Sequence, residues 1–378
     1  MSLHIFYSKI YFTQKSIRKG AKIMTKPIPV TIITGFLGSG KTTLINHILN
    51  AHNDNKVAVI INEFGDISVD HRLVLSTDED IYQMANGCLC CTLRTDIADM
   101  LRSILEAIEN EGVPIEQIII ETTGLADPAP LVQTFFNLPF LKEHFTINSI
   151  ITLVDCVYGE TTIKEQDEPV KQISFADRIY LTKADLVTRD DYEKLAAHIH
   201  HINPFTPVSP LDLETITMSD ILDQSEFMMT ESQLKSMTEA QKEADAEEHE
   251  HDHDHEHHHH HHGHDHHHGI TTCSIEVKEP LELTIIQGWL NELISYYGPQ
   301  LYRYKGILSI KDVPNQIIIQ GVQMSCEVSQ GREWKNDADR SSTLVFIGKN
   351  LPTTEIEESF KTCIADYIDD NPYHKMFI

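Results

Sequence analysis

The stretch VTIITGFLGSGKTTLINHIL, residues 30–49, decides how this chain folds. Its opening run, VTIIT, is apolar and β-branched and reads as a buried strand. Its closing part places Leu44, Ile45, Ile48 and Leu49 on one helical face. Between them, Gly35, Gly40, Lys41 and Thr42 match the spacing of a P-loop in the strand–loop–helix setting that the mechanism requires. Gly38 and Gly40, flanking Ser39, let backbone N–H groups wrap β-phosphate oxygens without a side-chain clash. Lys41 would neutralise β/γ charge, and the Thr42 hydroxyl, next to Thr43, would ligate Mg²⁺. The helix that follows points its positive end at the anion.

Beyond this stretch, short apolar runs alternate with helical patterns. Residues 56–62, 115–121, 149–155 and 177–183 read as strands. Residues 95–109 read as an amphipathic helix with Ile97, Leu101, Ile104, Leu105 and Ile108 on its apolar stripe. Continuous Val/Ile/Leu strands separated by helices imply a parallel sheet covered on both faces. The expected fold class is α/β: a P-loop domain with a mostly parallel sheet over residues 24–210, then a smaller α+β domain over 270–378. Its expected element order is β-α-β-β-β-α, with residues 315–328 as one strand and 283–297 as a helix. Residues 211–269 are acidic and rich in His, and are expected to be a disordered linker. Residues 1–23 carry Lys9, Lys15, Arg18, Lys19 and Lys22 but no acid, and no apolar h-region. They are expected to be a disordered lead, with a transit peptide as the alternative.

Three further segments end near one sheet edge, where ligands of open parallel sheets gather. TKAD, residues 182–185, follows a late strand. Asp185 could accept two hydrogen bonds from guanine, while Lys183 packs its stem on the base. The usual guanine motif has Asn where Thr182 stands, and a capping Asp beside a surface Lys is the plainer alternative. IIIETTG, residues 118–124, places Glu121 to organise Mg²⁺ or a water and Gly124 to offer its N–H to the γ-phosphate. NEFGD, residues 62–66, supplies Glu63 and Asp66 as candidates for a switch that senses phosphate or metal. Ordinary strand-end polarity is the alternative for these acids.

Cys88, Cys90 and Cys91 form a Cys-x-Cys-Cys cluster of soft ligands suited to Zn²⁺, Cu(I) or iron–sulfur chemistry. Three thiolates leave a tetrahedral ion one position short, which suits a carrier better than a structural site. A redox pair or buried thiols is the alternative. Residues 79–91 are expected to run as a strand toward the P-loop edge, so that ion and nucleotide share switch loops.

The whole chain carries a formal net charge of -27, which argues against nucleic acid as a partner. No apolar run is long enough to span a membrane. Seven cysteines, four of them scattered, do not form a disulfide framework and point to a reducing cytosol. Between His249 and His268 there are 14 His in 20 residues. His249, His251, His253 and His255, interleaved with acids, begin a flexible, weakly selective metal-gathering tract. A merely solubilising linker or an internal tag artefact is the alternative.

Taken together, TIITGFLGSGKTTLINHIL, INEFGDISVD, NGCLCC, ETTGLADP and FADRIYLTKADL resemble the CobW family of P-loop GTPases. LYRYKGIL and STLVFIGK resemble that family's C-terminal domain. The resemblance spans residues 24 to about 367 apart from the linker. It implies GTP hydrolysis that responds to Zn²⁺ or Co²⁺, and delivery of metal to a client metalloprotein. It maps the family's metal motif onto Cys88, Cys90 and Cys91, and its base-recognition pair onto Lys183 and Asp185. At Ile61 the chain departs from members that carry an acid able to help bind metal at a secondary site. A cobalt-handling role in cobalamin synthesis and a non-catalytic buffer or sensor that binds GTP are the alternative functions. A homodimer that depends on metal or nucleotide is a further expectation.

Overall fold

The computed structural model describes residues 26–51, 57–61, 72–76, 81–85, 93–111, 115–223, 269–336 and 340–365. They form two compact units, 26–223 and 269–365.

The first unit is built on an eight-stranded sheet. Its strands are β1 (Ile28–Gly35), β2 (Val57–Ile61), β3 (Arg72–Ser76), β4 (Ile81–Ala85), β5 (Gln117–Glu121), β6 (Phe145–Asp155), β7 (Arg178–Thr182) and β8 (Val208–Pro210). They lie in the order β4-β3-β2-β5-β1-β6-β7-β8. The six strands from β2 to β8 in that order pair in parallel. Their runs are apolar on both faces because helices cover both: Ile118, Ile119 and Ile120 in succession are fully buried. This bears out the α/β class.

At the other edge β3 runs antiparallel to β2, and β4 antiparallel to β3. Two reversals return β4 to the direction of β1, as expected for the segment that leads toward the thiols. The register makes one row across the sheet. Ala85 lies opposite Arg72, Arg72 opposite Ile61, Ile61 opposite Glu121, and Glu121 opposite Ile33.

Helix α1 (Lys41–Ala51) buries Leu44, Ile45 and Ile48 against Ile33, Val59, Ile119 and Leu153. The stripe expected from the sequence is the one that packs. Helix α2 (Leu93–Glu106) buries Ile97, Leu101, Ile104 and Leu105 but widens into a π-turn at Ala107–Glu111. That extra residue per turn shifts the phase, so Ala107 enters the core and Ile108, expected on the stripe, is only half-buried. The remaining helices are α3 (Ala129–Asn137), α4 (Pro139–His144), α5 (Gly159–Glu165), α6 (Asp167–Phe175), α7 (Arg189–Ile202) and α8 (Met218–Leu222). Thr217 and Asp220 close a reciprocal capping box at the start of α8. Its Ile221 and Leu222 are buried in the same core as α1.

The second unit is an antiparallel sheet in the order β12-β11-β10-β13-β9. It contains β9 (Ile270–Val277), α9 (Leu283–Tyr297), β10 (Leu301–Leu308), β11 (Asn315–Val322), β12 (Ser325–Glu333), β13 (Ser342–Lys349) and α10 (Thr353–Lys361). Leu290 and Ile294 of α9 and Phe360 of α10 share a core with Tyr304, Ile317 and Phe346 of the sheet. The Trp289 ring meets Phe360 edge-on at 5.1 Å, and its Nε1 donates to Ser359 Oγ at 2.9 Å. The order here corrects the expectation: residues 315–328 are not one strand but the two arms of a hairpin. Gln323 makes the turn with a φ of 50°, a left-handed conformation usually signalled by Gly, Asn or Asp.

Candidate nucleotide site and family

The P-loop leaves β1 at Gly35 and enters α1 at Lys41. Its backbone takes left-handed φ at Gly38 (75°) and Gly40 (93°), where a side chain would be strained. Ser39 N donates to Phe36 O at 3.2 Å, closing the turn. The Ser39 hydroxyl is buried and has no hydrogen-bond partner among the described residues. Lys41 is buried, and its Nζ donates to Gly35 O at 2.8 Å and Phe36 O at 3.0 Å. Burial lowers its pKa, and the negative charge of Glu121 works against that shift. An ammonium held by two carbonyls in this setting gains from an arriving anion.

Thr42 Oγ1 donates to Glu121 Oε1 at 2.8 Å, across 79 residues of chain. Thr43 follows on the exposed side of the first turn of α1. Glu121 is buried at the end of β5, next to β1. The structure thus joins Lys41, Thr42 and Glu121 at one point of the sheet edge. A hydroxyl and a carboxylate side by side are hard oxygen donors of the kind Mg²⁺ takes, so these residues fit that ion.

The loop after β5 is pressed onto the P-loop. Thr122 N donates to Ile33 O at 3.0 Å, and Thr122 Oγ1 to Thr34 Oγ1 at 2.8 Å. A Cβ on Gly124 would lie 2.7 Å from Leu37 N and 2.8 Å from its Cα, so only glycine allows this approach. The Gly124 carbonyl is held by Gln172 Nε2 at 3.1 Å.

Lys183 and Asp185 follow β7, two strands from β1. Lys183 has a φ of 57°, and its Nζ donates to Gly38 O at 3.1 Å and to Asp155 Oδ2. Asp155 Oδ1 accepts from Val157 N at 2.8 Å. The loop after β7 is therefore tied directly to the P-loop. Thr182, which stands where an Asn is usual, has its methyl 3.7 Å from where a side chain on Gly40 would begin. Asp185 is exposed in a 3₁₀ turn (Ala184–Leu186), with Leu186 and Tyr158 also exposed nearby in the chain segments after β7 and β6. Burial, with Asp155 and Asp185 adding to it, pushes the Cys156 thiol up to about 11.

Asp155 and Gln172 were not legible as site residues. Asp155 ends a strand as many acids do, and Gln172 lies in a helix with no motif. Their roles arise from contacts 28 and 48 residues away in sequence.

Cys88, Cys90, Cys91, Glu63, Asp66 and the tract from His249 lie outside the described residues. Among the described residues no cluster of three or more His, Cys, Asp or Glu could hold a metal ion. No helix among them is long and apolar enough to cross a membrane.

Residues 29–210 match the family model for the CobW/HypB/UreG nucleotide-binding domain, and residues 270–364 that for the cobalamin synthesis protein cobW C-terminal domain. The zinc chaperone YjiA of Escherichia coli K12 is 33% identical over 334 residues, 88% of this chain and 98% of that protein. The zinc chaperone CobW of Pseudomonas aeruginosa is 29% identical over 369 residues, 89% of this chain and 92% of that protein. The crystal structure of the Zn(II)-bound YjiA GTPase from E. coli aligns with a TM-score of 0.68 at 30% identity, covering 90% of this chain and 99% of that one. With both domains matched in order and a P-loop joined to its strand-end acid, this chain belongs to the CobW family.

Proposed function

We propose that this protein is a GTP-hydrolysing metallochaperone that binds Zn²⁺, or Co²⁺, at Cys88, Cys90 and Cys91 and passes it to a client metalloprotein. The observation that carries this reading is the row Ala85–Arg72–Ile61–Glu121–Ile33. The strand that leads into the thiols and the strand that leads into Glu63 and Asp66 both end level with Glu121. At about 4.8 Å per strand, Ala85 lies roughly 14 Å from Glu121 across the sheet. Cys88 is three residues further on, and at up to about 3.6 Å per residue the chain can cross about 11 Å of that distance.

The P-loop amides and Lys41 hold the β- and γ-phosphates and offset the charge that shifts during transfer to water. Asp185 and Lys183 select guanine. Thr42 and Glu121 would hold Mg²⁺, which when bound neutralises phosphate charge. Glu121 would also orient the attacking water. Relatives named as zinc chaperones support Zn²⁺ as cargo. A Schizosaccharomyces pombe relative, 40% identical over 185 residues, is named zinc-regulated GTPase metalloprotein activator 1, which supports a metalloprotein as recipient. The His tract from His249 would gather ions for the thiols, in a reducing cytosol where those thiols stay free.

The test is GTP hydrolysis with Zn²⁺, Co²⁺ or no metal, on the natural chain and on the Cys88/Cys90/Cys91→Ala triple variant. Metal-dependent turnover that disappears in the variant is expected. Full metal stimulation in the variant would remove the thiol assignment.

A further inference from the structure

We propose that Gln172 is a positioning residue for GTP hydrolysis, holding the loop after β5 in register with the P-loop. This rests on the reading that the site hydrolyses GTP. Gln172 lies in α6 and is fully buried. Its Nε2 donates to Gly124 O at 3.1 Å and to Ala126 O at 3.0 Å, which uses both donors of the amide. Its own backbone carbonyl accepts from Thr152 Oγ1 at 2.8 Å, so the same residue is tied to β6. The preceding residue adds an outer tether: Lys171 Nζ pairs with Asp127 Oδ2 at 3.2 Å. Asp127 Oδ1 in turn accepts from Ala129 N at 2.9 Å, at the start of α3. Two consecutive residues of one helix therefore grip both ends of residues 124–127.

The opposite side of that loop rests on the P-loop, through Thr122 on Thr34 and Gly124 on Leu37. A small cavity behind the P-loop is lined by Phe36, Leu37, Ser39, Asp155 and Gln172. Gln172 Oε1 and Ser39 Oγ are both buried without a hydrogen-bond partner among the described residues. A buried unpaired acceptor is costly, so what the amide gains at this position lies in its two donors. The amide is kept where it faces two carbonyls of the phosphate-side loop.

The two nucleotides differ by one phosphate. The P-loop amides and Lys41 would hold the phosphates GDP and GTP share, whereas the loop at Gly124 would meet the third. Releasing this loop should therefore weaken catalysis and the preference for GTP while leaving GDP binding nearly intact. A purely structural role would weaken both nucleotides together.

The experiment uses the full chain with Gln172→Met, which removes the donors, Gln172→Glu, which turns acceptors toward the two carbonyls, and Lys171→Met, which cuts only the part-exposed outer pair. It measures kcat and KM for GTP, and Kd for fluorescent GDP and GTPγS. For Gln172→Met we expect kcat to fall about 10-fold or more, as for small misplacements near a reacting centre. The preference for GTPγS over GDP should shrink by a similar factor, with the GDP Kd within about twofold of the natural chain. Lys171→Met should move both in the same direction by a smaller factor, and it decides the matter if the Gln172 variants do not fold. An unchanged kcat and unchanged GTPγS-to-GDP ratio would overturn the proposal, as would equal losses for both nucleotides. Absence of hydrolysis by the natural chain would instead sink the GTPase reading, and the two Kd values would still test the tether.

Discussion

At the residue scale the site is governed by buried charge. Lys41 is held by carbonyl oxygens and faces Glu121 across Thr42, so its ammonium is poised for phosphate. Lys183 is anchored by Asp155 and Gly38, which ties the loop proposed to read the base to the P-loop. The same surroundings silence the neighbouring thiol. Burial pushes Cys156 from its ordinary 9.0 to about 11 and Cys363 to about 12. The thiolate is therefore disfavoured in the folded chain and free to form in the unfolded one. Stability is full below pH 9 and declines as pH rises through 11, by about 1.4 kcal/mol per unit for each thiol. Denaturant midpoints between pH 8 and 11 should fall less steeply in Cys156→Ala than in the natural chain. Identical slopes would contradict this assignment. The P-loop, and Lys183 and Asp185 as candidates beside it, could be picked out because their spacing is local. Asp155 and Gln172 were not, because only the folded sheet brings them to the site.

At the scale of elements, continuous apolar runs identified the parallel strands, since both faces of each are covered. The phase of α2 escaped the sequence after Leu105, where a π-turn replaces regular spacing. The β11–β12 hairpin escaped it because Gln323 and Met324 carry no turn signal. Strand β3 escaped it too, being five residues that open on Arg72 and carry only three apolar residues in a row. The loop after β5 is where element packing becomes function. In Gly124→Ala the new methyl would collide with the Leu37 backbone, which cannot rotate away as a side chain can. Overpacking of this kind costs about 1–3 kcal/mol. Melting should drop accordingly, and affinity for GTPγS should fall with it in a nucleotide titration. A variant with natural stability and natural affinity would refute the close packing described for this loop.

At the scale of the whole molecule, the chain joins a P-loop unit to an antiparallel α+β unit, and between them lies the His-rich stretch. The sequence showed this division through composition: residues 211–268 carry 16 acids and two bases. It placed the linker's start too simply, since Ile221 and Leu222 pack in the nucleotide unit's core. The sheet of that unit is what would make one machine of two sites. Strands β2 and β4, both ending level with Glu121 and on the same side of it, lead to the candidate switch acids and to the thiols. In the proposed function ion and nucleotide would bias the same loops, and each would then alter the other's affinity by the same factor. The decisive measurement is Zn²⁺ affinity by competition with a chromophoric chelator, in the presence of GTPγS, GDP or no nucleotide. The account expects the Zn²⁺ Kd to differ between the GTPγS and GDP forms by about fivefold or more, with a matching ratio when nucleotide is titrated into zinc-loaded protein. Equal Zn²⁺ affinities in all three states would contradict it.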